Sequence, residues 1–164
     1  MSTLEKEEVL LLKTLVLYFT RTGNSKRIAQ KISDRADAEI AEISDDKNWQ
    51  GVWGFIKGGY HSSIWKTTNS RLTPALDLGV YNKVVVISPM WASNVAPAVF
   101  SLLLKEKDNI KELHLLIKSD GAPADASFAK IEEKVCKPDF KYSIVTRLDN
   151  EEAVVNQIVQ ALQA

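Results

Sequence analysis

Five short apolar runs, each separated from the next by residues with helical spacing, constrain this chain more than any other feature. Thr14-Leu-Val-Leu-Tyr-Phe-Thr20 is β-branched and aromatic, which suits a buried strand. Ala38–Ile43 alternates and reads as a strand nearer a sheet edge, and Lys83-Val-Val-Val-Ile-Ser88 is the clearest buried strand, stopped by Pro89. Leu113–Lys118 and Phe140–Val145 complete the set. Between them Ile28, Ala29 and Ile32, then Val99, Leu102 and Leu103, recur at helical spacing. Ala124–Val135 reads as a further helix, and Asp149 or Asn150 caps a last one facing Val154, Val155, Ile158 and Leu162 inward. Strands alternating with helices imply an α/β fold: a three-layer, doubly wound, five-stranded parallel sheet covered on both faces. Residues 1–13 read as a polar lead-in and residues 14–164 as a single domain, since no Pro/Gly linker or repeat divides them.

Composition removes several function classes. Lys plus Arg and Asp plus Glu both number 21, so the formal net charge is zero. A neutral chain has no whole-surface electrostatic case for nucleic acid or an anionic membrane. One cysteine, Cys136, forms no internal disulfide or CxxC pair, and with only His61 and His114 beside it no metal site is expected. The apolar stretch Val9–Phe19 is interrupted by Lys13 and Thr14, so no membrane insertion is expected, and Glu5, Glu7 and Glu8 do not suit a secretory signal. The cytoplasm is the expected location.

Open sheets of this kind bind ligands beyond the carboxyl ends of their strands. Three strand exits therefore matter: Thr20–Ser25, Pro89–Asn94 and Ser119–Asp125. The first, Thr20-Arg21-Thr22-Gly23-Asn24-Ser25, offers three hydroxyls and an amide around a glycine that lets the backbone turn. The free N–H groups of the following helix favour an anion. The segment is neither GxxxxGK[ST] nor GxGxxG, which disfavours a nucleotide-triphosphate loop and a dinucleotide fingerprint. It reads either as a phosphate cradle or as a turn with a Ser or Asn cap, and the hexapeptide as a whole favours the cradle.

The run Leu15-Val-Leu-Tyr-Phe-Thr-Arg-Thr-Gly-Asn-Ser25 resembles the FMN phosphate-binding motif of the flavodoxin family. The alternation of elements over residues 14–164 matches that family's fold, which implies the strand order 2-1-3-4-5 and FMN as cofactor. The later loops match more loosely and resemble flavodoxin-like proteins beside the short-chain flavodoxins. By this resemblance Pro89-Met90-Trp91-Ala92-Ser93-Asn94 holds the isoalloxazine ring, with Pro89 and Trp91 at its edge or face. Trp91 either stacks on the flat ring or packs the loop onto the core. Backbone N–H groups of Ala92–Asn94 are suited to donate to the ring's carbonyls. Ser119, Asp120 and Gly121 form the other wall by resemblance, with Asp120 either bonding the cofactor or capping the next helix.

The link from about Ser44 to Asn82 is unusual. Trp49, Trp53 and Trp65, three of the four tryptophans, lie in it beside Phe55, Tyr60, Gly51, Gly54, Gly58 and Gly59. No acid occurs between Asp46 and Asp77, whereas Lys47, Lys57, Lys66 and Arg71 give a local charge of +4. It reads either as a mobile flap over a ring, with Trp53, Tyr60 or Trp65 reaching the flavin, or as an amphipathic helix, Trp49–Gly59. That helix would pack its aromatics inward and hold its lysines in solvent. His61, His114, Cys136 and Tyr18 carry no chemistry by their context.

An FMN-binding protein in electron transfer, working with a redox partner protein, is the function this reading expects. The alternative is an NAD(P)H-dependent FMN or quinone oxidoreductase on the same fold, which the basic link favours. A receiver-like signalling module needs an acidic pair after the first strand, where this chain has Thr20-Arg21-Thr22. Dedicated low-potential flavodoxins are strongly acidic. This neutral chain departs from them, so a less negative second one-electron potential is expected.

Overall fold

A computed structural model describes residues 13–164. Except for Lys13, the expected lead-in lies outside the described residues. Seven strands, β1 (Thr14–Tyr18), β2 (Glu39–Ser44), β3 (Arg71–Thr73), β4 (Lys83–Trp91), β5 (Asn94–Val95), β6 (Leu113–Ser119) and β7 (Phe140–Val145), form one sheet in the order β3-β2-β1-β4-β6-β7, with β5 paired to β4. Five helices join them: α1 (Asn24–Ala36), α2 (Gly51–Ser63), α3 (Pro97–Glu106), α4 (Asp125–Lys134) and α5 (Glu151–Gln163).

The parallel strands β2-β1-β4-β6-β7 reproduce the expected order, and the sheet has seven strands rather than five. The two extra strands are antiparallel and too short for periodicity to reveal. β3 pairs three residues with the edge of β2, and β5 pairs two with the end of β4. Pro89 does not stop β4, which runs on to Trp91. Ile87 accepts the Phe19 N–H at 3.1 Å on the β1 side. Alternate residues point their backbone groups the same way, so Pro89's missing N–H faces that side too. β1 has already left it, its pairing ending at Tyr18 opposite Ile87, and no ladder bond is lost.

Both faces of the sheet are buried, which is why the central strands read as unbroken apolar runs. Leu15, Leu17 and Phe19 point to one face and join Val99 and Leu103 of α3 and Phe128 and Ile131 of α4. Val16 and Tyr18 point to the other and join Ile28, Ala29 and Ile32 of α1 and Val155, Ile158 and Leu162 of α5. A fully buried isoleucine such as Ile32 contributes about 2 kcal/mol of transfer free energy. Outside this core, α1 and α5 are bolted together by charge. Arg27 and Lys31 both reach Glu151, and Arg35 meets Glu152 at 2.8 Å. These cations hold the Glu151 carboxyl at about 2, well below its ordinary value, chiefly through the Arg27 hydrogen bond. Asn150 caps α5, its side chain accepting the Ala153 N–H at 3.2 Å.

α2 packs the other way round. Gly54 and Gly58 are buried, while Val52, Trp53, Phe55, Ile56 and Tyr60 are exposed. A Cβ on Gly54 would lie 2.1 Å from the Trp49 carbonyl carbon, and one on Gly58 would lie 2.8 Å from the Trp91 ring. The segment is therefore a helix, and it does not pack its aromatics inward as an ordinary amphipathic helix would. Two glycines one turn apart let its backbone settle onto Trp49 and Trp91, and that close seat turns the large side chains outward.

Candidate cofactor site

Beyond the carboxyl ends of β1, β4 and β6 the loops surround two adjacent compartments. The first, of about 290 Å³, is lined by Thr20, Arg21, Thr22, Asn24, Ser25, Phe55, Pro89, Met90, Trp91, Lys118, Ser119 and Asp120. The second, of about 640 Å³, shares Phe55, Met90, Trp91, Ser119 and Asp120 and extends to Ile56, Gly59, Tyr60, Ala92, Gly121 and Ala122. The first is polar at its β1 end, and the second is mainly an apolar slot.

The 20–25 turn is shaped by its glycine. Gly23 takes a left-handed φ of 95° and sits at the start of α1 without any side-chain cap. The Ser or Asn cap considered from the sequence is therefore not made. The Thr20 hydroxyl instead accepts the Gly23 N–H at 2.7 Å, and the Thr22 hydroxyl accepts from Asn24 Nδ2 at 3.3 Å. The first-turn N–H groups of α1 thus remain available at the positive end of the helix dipole. Gly23 shapes this turn without lining the cavity. Arg21 leans its guanidinium over the Phe55 ring at 5.5 Å, joining the turn to α2.

At the β4 exit Ala92 and Ser93 both have positive φ, 48° and 60°, and form the two-residue corner of the β4–β5 hairpin. Trp91 does pack the hairpin onto the core. It packs edge-on against Phe19 and Trp49, each at 5.5 Å, and also lines both compartments. Ser93 and Asn94 line neither compartment. The Ser93 carbonyl accepts from Ser127 Oγ at 2.7 Å, and buried Asn94 donates from Nδ2 to the Ser62 carbonyl at 2.6 Å. Their role is to fasten the hairpin to α4 and α2.

The β6 exit holds a residue that the sequence reading passed over. Lys118 lines the first compartment with its side chain only 11% exposed. Its ammonium donates to Thr146 Oγ1 at 2.9 Å and lies 3.7 Å from Asp120 Oδ1. Asp120 is 96% exposed, so water partly screens the pair. Asp120 does not cap α4, whose start carries no side-chain cap. It accepts from Thr146 Oγ1 at 3.3 Å. Lys118 ended an apolar run and looked like a strand terminus. The available signal was a cation placed directly before a ligand-facing loop.

Of Trp53, Tyr60 and Trp65, Tyr60 lines the slot. Trp53 is 82% exposed, and Trp65 packs on Phe100 at 4.9 Å. Phe55, not singled out from the sequence, lines both compartments. His61 is buried against Trp49, and burial lowers its pKa. His114 lies at the far end of β6 between Phe140, Tyr142 and Glu112. Burial pushes the Cys136 thiol up. No cluster of metal-ligating side chains occurs among the described residues.

This architecture, with its cavity at the β1 and β4 exits, is the flavodoxin-like fold. The chain is similar to a flavoprotein from Lactobacillus acidophilus NCFM solved in complex with FMN, with a TM-score of 0.65, 22% identity, and coverage of 82% of this chain and 91% of that one. It is also similar to the flavodoxin, WrbA-like protein from Agrobacterium tumefaciens, with a TM-score of 0.56, 10% identity, and coverage of 93% and 98%. Flavodoxin 1 from Bacillus cereus aligns with a TM-score of 0.50, 14% identity, and coverage of 92% and 97%. No family model and no curated protein matches the sequence.

Proposed function

We propose that this protein binds FMN and acts as a flavodoxin-like protein in electron transfer, exchanging electrons with a redox partner protein. One observation carries the reading. Two adjacent compartments that share Phe55, Met90, Trp91, Ser119 and Asp120 set an anion-accepting turn beside an apolar slot, and these suit the two ends of an FMN molecule. The uncapped start of α1, with Thr20, Thr22, Asn24 and Ser25 around it, fits a phosphomonoester. The slot between Phe55, Tyr60, Met90, Trp91 and Gly121 fits a flat aromatic ring. The resemblance of Leu15–Ser25 to the FMN motif and the Lactobacillus complex point the same way.

When bound, FMN supplies the one- and two-electron chemistry. The chain's residues hold and tune it. Thr20–Ser25 bind the phosphate, Trp91 and Phe55 exclude water from the ring, and Lys118 presents a fixed cation that favours added negative charge. That cation supports the less negative second potential expected from the neutral sequence.

The volume of the apolar compartment, about 640 Å³, favours a second reading, an NAD(P)H-dependent FMN or quinone oxidoreductase, because it leaves room for a flat small-molecule acceptor. Titration with FMN and riboflavin tests the site. FMN is expected to bind at least about tenfold tighter, through charge-assisted hydrogen bonds to its phosphate. Equal affinity would remove the cradle. Steady NADPH oxidation with a quinone selects the oxidoreductase, and reduction only through a partner reductase selects the carrier.

A further inference from the structure

Three cation–π contacts occur among the described residues, and one of them spans the candidate site. Lys57 lies over Trp49 at 5.1 Å and Lys134 over Trp65 at 5.7 Å, and none of these four residues lines either compartment. Arg21 and Phe55 both line the first compartment, and Phe55 lines the slot as well. Arg21 belongs to the anion-accepting turn, and Phe55 stands on α2. The same arginine meets the start of α2 a second time, because Gln50 Nε2 donates to the Arg21 carbonyl at 3.1 Å.

Neither partner of this contact is held by anything stronger. Arg27 and Arg35, on the helix that follows the turn, are paired with Glu151 and Glu152. Among the described residues no carboxylate pairs with Arg21, and its guanidinium meets the Phe55 ring alone. Phe55 is 63% exposed, so core packing does not fix its ring. A guanidinium is planar, with its donors in the plane and its faces free to stack. Arg21 can therefore rest a face on Phe55 and turn an edge toward an anion in the compartment it lines. The ring contact is weak while water surrounds it and strengthens when a ligand displaces that water. An anion that fixes the guanidinium also fixes the ring beneath it.

We propose that Arg21 is the positioning residue through which the 20–25 turn sets Phe55 against the slot, so that the anionic and planar ends of one ligand are bound cooperatively. The ligand class selected is a flat aromatic phosphomonoester, in preference to a free phosphate or an uncharged ring. This deepens the FMN reading and rests on it.

FMN and riboflavin are titrated separately into the flavin-free full chain. The titrations are repeated with Arg21→Gln and Arg21→Lys, and with Phe55→Leu made in all three backgrounds. In the otherwise unchanged chain, Phe55→Leu is expected to weaken FMN about fivefold more than it weakens riboflavin. That excess should vanish in the Arg21→Gln background. It should vanish in the Arg21→Lys background too, since lysine keeps the charge and lacks the planar fork. A residue that only packs the wall would cost the two flavins equally. All variants should keep the native circular dichroism spectrum, because neither side chain is buried in the core. An excess that is absent, or that survives Arg21→Gln, overturns the proposal. A full excess in Arg21→Lys overturns it as well, because a point charge would then suffice. Failure of both flavins to bind overturns the cofactor reading and this proposal with it, whereas tighter binding of FMN without the excess overturns this proposal alone.

Discussion

α1 and α2 follow adjacent strands and have the same length, yet they are built on opposite principles. α1 buries Ile28, Ala29 and Ile32 and turns Arg27, Lys31 and Arg35 toward α5. α2 buries Gly54 and Gly58 and turns Val52, Trp53 and Ile56 toward solvent. The first helix uses its apolar residues for stability. The second uses small residues to come close and leaves its apolar residues exposed. Hydrophobic spacing alone does not distinguish the two, because it reports which residues share a face and not which way that face points.

The sharpest separation is expected from Ile32→Ala, which should cost about 3 kcal/mol in urea unfolding because it opens a cavity in a fully buried site. Trp53→Ser should cost almost nothing in the same measurement, and equal losses would erase the contrast. Next comes Gly54→Ala. The new methyl meets backbone at Trp49 and should cost about 2 kcal/mol, whereas Gly59→Ala opens onto free space and should stabilise by about 0.5 kcal/mol through helix propensity. A neutral Gly54→Ala would show that α2 is not seated as described.

Lys118→Met should leave folding intact, lower the second one-electron potential of FMN-loaded protein by about 1 kcal/mol in free-energy terms, and change the first potential less. A spectroelectrochemical titration without that shift removes the lysine from the tuning role. The smallest effect concerns the α1–α5 bolt. The cations around Glu151 hold its carboxyl at about 2 in the folded protein, below the ordinary 4.5, so its contribution is present above pH 4.5. It is lost as pH falls from about 4.5 through about 2. Because Arg27 is half-exposed, screening leaves about 1 kcal/mol. Glu151→Gln should flatten that part of the stability-versus-pH curve.

The central strands were legible because burial on both faces writes itself as unbroken runs such as Lys83–Ser88. β3 and β5 were not, because two or three residues hold no period. The cradle was legible at Thr20–Ser25, where turn chemistry and donors coincide in one segment. Phe55 and Lys118 were not, because their role depends on which way α2 turns and on which strand end meets which loop. The inversion of α2 did leave a trace: Gly54 and Gly58, one turn apart, read as flexibility when they were a seat.

The fastenings of the β4–β5 hairpin have a mechanical consequence. Asn94 holds the end of α2 through the Ser62 carbonyl, Ser62 Oγ returns a bond to the Val95 carbonyl at 3.2 Å, and Ser93 is held by α4. The two jaws of the slot therefore share one clamp. A guest too thick for the gap cannot push α2 aside without also dragging Trp91 and the start of α4.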